Sequence, residues 1–149
     1  MKIFDRFKYW YYIGAVERYI IEDLYPDADI SKLVTYAKKY RDTPNPLMVI
    51  YIAKALHNGI DDERLFDGSF NFEQLYFIMR CIQEHIRIDN ILDTDITPDN
   101  FCKYFSVMKL LPLSVSARKL HNQDIVTNDD IDSVYTRLID ILNDCNLGI

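Results

Sequence analysis

Apolar residues recur at helical spacing along nearly the whole chain, and no stretch alternates in the way a half-buried strand does. Ile13, Val16, Ile20, Ile21 and Leu24 form one stripe, which predicts a helix over 3–24 ended by Pro26. Asp29 is placed as the N-cap of a second helix over 30–41, with Ile30, Leu33, Val34 and Ala37 facing inward. Thr43-Pro44-Asn45-Pro46 is the clearest break. A last helix is expected from Asn128 to about Asp144, with Ile131, Val134, Tyr135, Leu138, Ile141 and Leu142 as its apolar face.

Between the break and that helix the pattern repeats. Asn45, Asn71 and Thr97 lie 26 residues apart, and each suits an N-cap. Val49, Leu75 and Phe101 share one column, Ile52, Ile78 and Tyr104 the next, and Leu56, Ile82 and Met108 a third. Ile60 and Ile86, Leu65 and Ile91, Asp67 and Asp93, and Phe70 and Ile96 continue the register. A fixed period of this size marks stacked supersecondary units. Each unit reads as a long helix (46–58, 72–86, 98–111) and a short one (61–66, 88–93, 113–121). Gly59 suits a helix C-cap, Asn71 with Gln74 a capping box, and Thr97-Pro98-Asp99 a capped first turn. The expected fold is all-α, a single domain over 1–149. It comprises an N-terminal helical cap (1–44), degenerate helix-pair repeats (45–122) stacked on one another, and an acidic C-terminal helix (123–149).

Composition agrees with this class. At 149 residues, 49% hydrophobic and 27% charged, with only four glycines and five prolines, the chain can bury a core and has few turns. Net charge is −6, unevenly spread: 1–44 is net +1, 45–122 net −2 and 123–149 net −5. Direct nucleic-acid binding is disfavoured by that balance. No apolar run is long enough to span a membrane, and MKIFDRFKYWYY is too charged for a signal peptide. Cys81, Cys102 and Cys145 are odd in number and far apart. They read as buried thiols in a reducing compartment, so the expected location is the cytoplasm, or a host's cytoplasm for a viral protein. Heavy use of Ile, Asn, Asp, Lys and Tyr fits an AT-rich source such as a bacterium, phage or other virus.

The segment Leu56 to Leu75 resembles a 26-residue helical tandem repeat of uncharacterised proteins of Firmicutes, their phages and mobile elements. Phe72, Glu73, Gln74, Leu75, Ile78, Ile82 and Ile86 match one unit of that pattern, and Leu56, Gly59, Ile60, Asp61 and Phe70 another. The resemblance covers 45–111, and His85 and Leu111-Pro112 depart from it. It implies architecture and a mobile-element origin, and assigns no catalytic residue.

Chemical candidates are sparse. His57, His85 and His121 lack the spacing of a zinc site and read as helix-end residues meeting carbonyls. Asp93-Thr94-Asp95 lacks the glycine and distal Glu of a calcium loop. No phosphate loop or nucleophile elbow occurs, so no catalytic residue, metal or cofactor is assigned. Two features remain. Phe7, Trp10 and Tyr11 share one side of the first helix, where they either cap the repeat stack or form a partner or homodimer surface. Asp129, Asp130, Asp132, Asp140 and Asp144 give the last helix an acidic face suited to a basic protein. The leading expectation is a non-enzymatic protein-binding module, an acidic inhibitor or adaptor of phage or mobile-element type. Its target would be a host defence or nucleic-acid-binding protein. The alternatives are a nucleic-acid-associated regulator using Lys38, Lys39 and Arg41 with Tyr36 and Tyr40, and a small hydrolase or metal protein built on the histidines.

Overall fold

The computed structural model describes residues 3–40, 46–110 and 114–147, with side chains between Arg6 and Asp144. The described residues form helices, turns and no strand: the fold is all-α. The chain divides into two compact units, 1–72 and 73–149.

The first unit contains α1 (Ile3–Tyr12), α2 (Ala15–Leu24), α3 (Ile30–Lys38) and α4 (Pro46–His57). α1 packs on α3, and both α2 and α3 pack on α4. Tyr9, Ile13, Ile21, Leu33 and Ile52 fill the core, joined by Leu65 and Phe66 from the segment after α4. The helix expected over 3–24 is two helices. Gly14 adopts an extended conformation and starts α2 afresh, which separates Ile13 from the rest of the stripe. Val16 and Leu24, assigned to that stripe, are exposed. Asp29 caps α3 as expected, its carboxylate accepting the Lys32 N–H at 3.2 Å. The Asn45 cap and Arg41 lie outside the described residues.

The second unit contains α5 (Phe72–Gln83), α6 (Pro98–Leu110), α7 (Val115–His121) and α8 (Asn128–Leu147). α8 packs on α6 and α7. Leu75, Ile78, Ile91, Phe101, Tyr104, Leu120 and Ile131 are its core. Thr97 caps α6 by accepting the Asn100 N–H, and Ser114 caps α7 by accepting the Ala117 N–H. Gln74 is buried, and its amide donates to the carbonyls of Thr94 and Ile96 at 3.0 and 2.9 Å. That loop is thereby tied to α5.

Local geometry recurs at the 26-residue spacing. After α4, Gly59 (φ +79°) bonds back to Leu56 and Ile60 to Ala55. After α5, His85 (φ +58°) bonds back to Ile82 and Ile86 to Cys81. Both are the double hydrogen bond that closes a helix through a left-handed residue. Asp67 and Asp93 likewise each accept the N–H two residues on, at 2.9 Å. The short helices expected at 61–66 and 88–93 are instead turns. Leu65 bonds to Asp62 and Ile91 to Ile88, and no helical run follows. At the first site the Asp62 side chain accepts the Arg64 N–H, a local bond that competes with helix. Only the third expected short element is helical, as α7.

Candidate partner-binding surfaces

The aromatic surface of the first unit arises from one helix carrying apolar residues on two sides. Tyr9 and Ile13, four apart, are buried. Phe7, Trp10 and Tyr11, at spacings of three and four, are 70%, 61% and 65% exposed. None of the three belongs to the core of the first unit. Their backbone is fastened where α1 ends. Arg18 Nη1 donates to the carbonyls of Trp10 and Ile13 at 3.0 and 2.7 Å, satisfying acceptors that the helix end leaves open. The same guanidinium lies 5.9 Å from the centre of the Trp10 ring. Beneath it, burial first and then the charge of Glu22 push the Tyr9 hydroxyl up to about 12.

The acidic surface of the second unit divides by role. Asp130 belongs to a reciprocal cap: its carboxylate accepts the Thr127 N–H at 2.9 Å, while Thr127 Oγ1 accepts the Asp130 N–H at 3.2 Å. The Thr127 N–H is the main reason its carboxyl sits below the ordinary range. Asp132 lies beyond the first turn, yet it pairs with Lys103 at 3.1 Å, and the same lysine reaches Asp99 at 3.1 Å. The hydrogen bond that Lys103 donates to Asp132, then the one it donates to Asp99, holds its ammonium above the usual range. So Asp132, expected to be free for a partner, is engaged within the unit. Asp129, Asp140 and Asp144 are exposed.

The C-terminal half of α8 adds a feature that the sequence reading placed in the core. Ile131 and Leu138 are buried, but Ile141 and Leu142 are 48% and 43% exposed, and Ile139 is also exposed. Length explains this. At about 1.5 Å per residue, the 20 residues of α8 span about 30 Å, whereas the 13 of α6 span about 20 Å. Asp140, Asp144, Ile141 and Arg137 are all exposed on this part of α8.

The alternative chemistries find less support in the geometry. Tyr36 and Tyr40 are buried, so neither can stack on a base. Tyr36 donates to Asp61, which also pairs with Lys32, and burial pushes Tyr40 up to about 12. Lys38 lies over the Tyr12 ring and Lys39 near the Tyr36 ring. His57 does not meet a helix carbonyl; its Nδ1 accepts the Asp27 N–H at 3.3 Å. His85 is exposed at its turn, and His121 is half-buried at the end of α7. Among the described residues, no three His, Cys, Asp or Glu side chains converge as a metal site. None of the helices among them is long and apolar enough to cross a membrane.

Comparison with protein-family models, curated proteins and solved structures finds no match to this chain.

Proposed function

We propose that this chain is a non-enzymatic protein-binding module that anchors a partner on the α1 aromatic face. The observation that carries the reading is the exposure of Phe7, Trp10 and Tyr11 together on one side of a helix whose backbone Arg18 fixes. Trp and Tyr dominate interface energetics because they bury large rigid areas. An aromatic cluster of this kind on a surface favours a binding site over an incidental exposure. The partner has a basic surface, which the free carboxylates Asp129, Asp140 and Asp144 attract. Such charges act mainly on the rate of encounter. An inhibitor or adaptor acting on a basic, nucleic-acid-binding target fits both surfaces.

A photo-crosslinking amino acid at position 11 tests the anchor in the native host, with the same probe at exposed Val115 as control. Position 11 should trap one protein reproducibly and position 115 should not. Binding kinetics with that protein then separate the two surfaces. Trp10→Ala should raise the dissociation rate, and Asp140→Lys with Asp144→Lys should lower the association rate. Equal trapping at both positions, or unchanged dissociation for Trp10→Ala, would overturn the anchor.

A further inference from the structure

Asn58-Gly59 and Asp67-Gly68, both in the first unit, carry the chemistry by which a main chain can attack its own side chain. In each, an amide or carboxyl group on Cγ precedes a glycine, whose nitrogen has no adjoining Cβ to obstruct a close approach. The structure separates the two. The Asp67 carboxylate is engaged, accepting the Ser69 N–H at 2.9 Å and the Ser69 hydroxyl. Gly68 is crowded: a methyl group there would meet the Lys39 carbonyl oxygen at 2.8 Å. Asn58 and Gly59 are both exposed, and a methyl group on Gly59 would meet nothing within 4 Å. Among the described residues, the Asn58 side-chain amide has no hydrogen-bond partner. Every other asparagine is followed by a residue larger than glycine. Asn90 and Asn100 are also buried, and the Asn128 amide is held by Asp95 and Thr97.

We propose that Asn58 is a site of spontaneous deamidation, and that its isoaspartyl product unlatches the end of α4. Hydroxide removes the Gly59 amide proton, and the nitrogen attacks Asn58 Cγ. The N–Cγ bond forms, the Cγ–Nδ2 bond breaks, and the leaving group takes a proton from water and departs as ammonia. A second water then opens the five-membered imide. Opening at Cγ gives aspartate. Opening at the main-chain carbonyl gives isoaspartate, whose backbone runs through Cβ and Cγ and is one atom longer. Folding restrains the first step, because the Gly59 N–H is bonded to the Leu56 carbonyl at 3.1 Å. That bond lies at an exposed helix end, where local opening is easiest. The product then holds the turn open. The bonds from Gly59 to Leu56 and from Ile60 to Ala55 both span position 58, so an added backbone atom breaks their register. The new carboxylate also stands at the negative end of the helix. α2 and α3 both pack on α4, so its closure bears on the whole first unit.

Peptide mapping of the purified chain, warmed for several weeks at mildly alkaline pH, tests this. The peptide containing Asn58 should gain about 1 Da, the exchange of an amide group for a hydroxyl. The gain should be severalfold slower at mildly acidic pH, and an isoaspartyl-specific methyltransferase should label the product. In Asn58→Gln the longer side chain cannot form the five-membered ring, so the gain and the label at position 58 should vanish. Gly59→Ala obstructs the nitrogen and should slow the gain severalfold, which serves should Asn58→Gln fail to fold. Asn58→Asp carries the new charge on an unaltered backbone. The converted fraction of the aged chain, separated by its added charge, should melt at least ~2 °C below that variant. Conversion of another asparagine as fast as Asn58, isoaspartate at Asp67 to the same extent, or a chain that does not convert overturns the site. A converted fraction that melts with Asn58→Asp overturns the unlatching.

Discussion

The turns at Gly59 and His85 make a matched experiment. Both close a helix through the same pair of backbone bonds, and both central residues have positive φ, +79° and +58°. One is glycine and the other is not. A left-handed conformation costs a non-glycine residue roughly 1–2 kcal/mol. Removing a side chain returns about 0.4–1 kcal/mol of freedom to the unfolded chain. His85→Gly should therefore stabilise by about 0.5–1 kcal/mol, since the exposed imidazole gives up little packing. At Gly59 the same terms run backwards. A methyl group there would meet nothing within 4 Å, so Gly59→Ala isolates the backbone term and should destabilise by about 0.5–1 kcal/mol. Urea denaturation followed by circular dichroism reads both, and at this chain length each corresponds to a Tm shift of roughly 2–4 °C per kcal/mol. A destabilised His85→Gly protein, or a neutral Gly59→Ala, would refute the argument. The left-handed turns would then not be where the free energy lies.

Further tests address the core, the α8 cap and the thiol. Leu75→Ala and Ile78→Ala remove fully buried side chains and should each cost about 2–5 kcal/mol by denaturant titration. Because Thr127 holds the Asp130 carboxyl below its ordinary range, the unfolded chain binds that proton more readily than the folded one. The resulting stability is present above the unfolded pKa, near ~4, and is lost as pH falls through the folded value. Unfolding measured from pH 7 to pH 3 should show less acid sensitivity in Asp130→Asn than in the wild type. Burial pushes the Cys81 thiol up to about 12. With Cys102→Ser and Cys145→Ser in place, a thiol reagent should label Cys81 only on denaturation.

What the sequence made legible were features set by a few neighbouring residues. Asp29, Thr97 and Gly59 act locally, through one hydrogen bond or one dihedral, and the structure places each at the helix end expected of it. The helix-closing turns at Gly59 and His85 are set in the same local way. Features set by competition were not. At 61–66 the residues suit a helix, yet the Asp62 side chain takes the Arg64 N–H and a single turn results. Gly14 sat within an unbroken apolar period, which a pattern reads straight through and the backbone does not. Exposure was the least accessible quantity. Tyr9 and Trp10 are adjacent aromatics on one helix, and only the packing of the neighbouring helices decides that the first is buried and the second is not. The roles of the α8 aspartates likewise depend on Thr127 and Lys103, one at the helix start and one on another helix.

The Arg18 bridge bears on the entropy of recognition. A surface aromatic on a fraying helix end must surrender backbone freedom when it is gripped, and that loss opposes binding. Here one guanidinium ties the last turn of α1 to the first turn of α2. Trp10 is thus held on an ordered backbone before any partner arrives. If Trp10 anchors a partner as proposed, binding would have little more than side-chain rotamers to freeze, and Arg18 would contribute to affinity by holding the backbone.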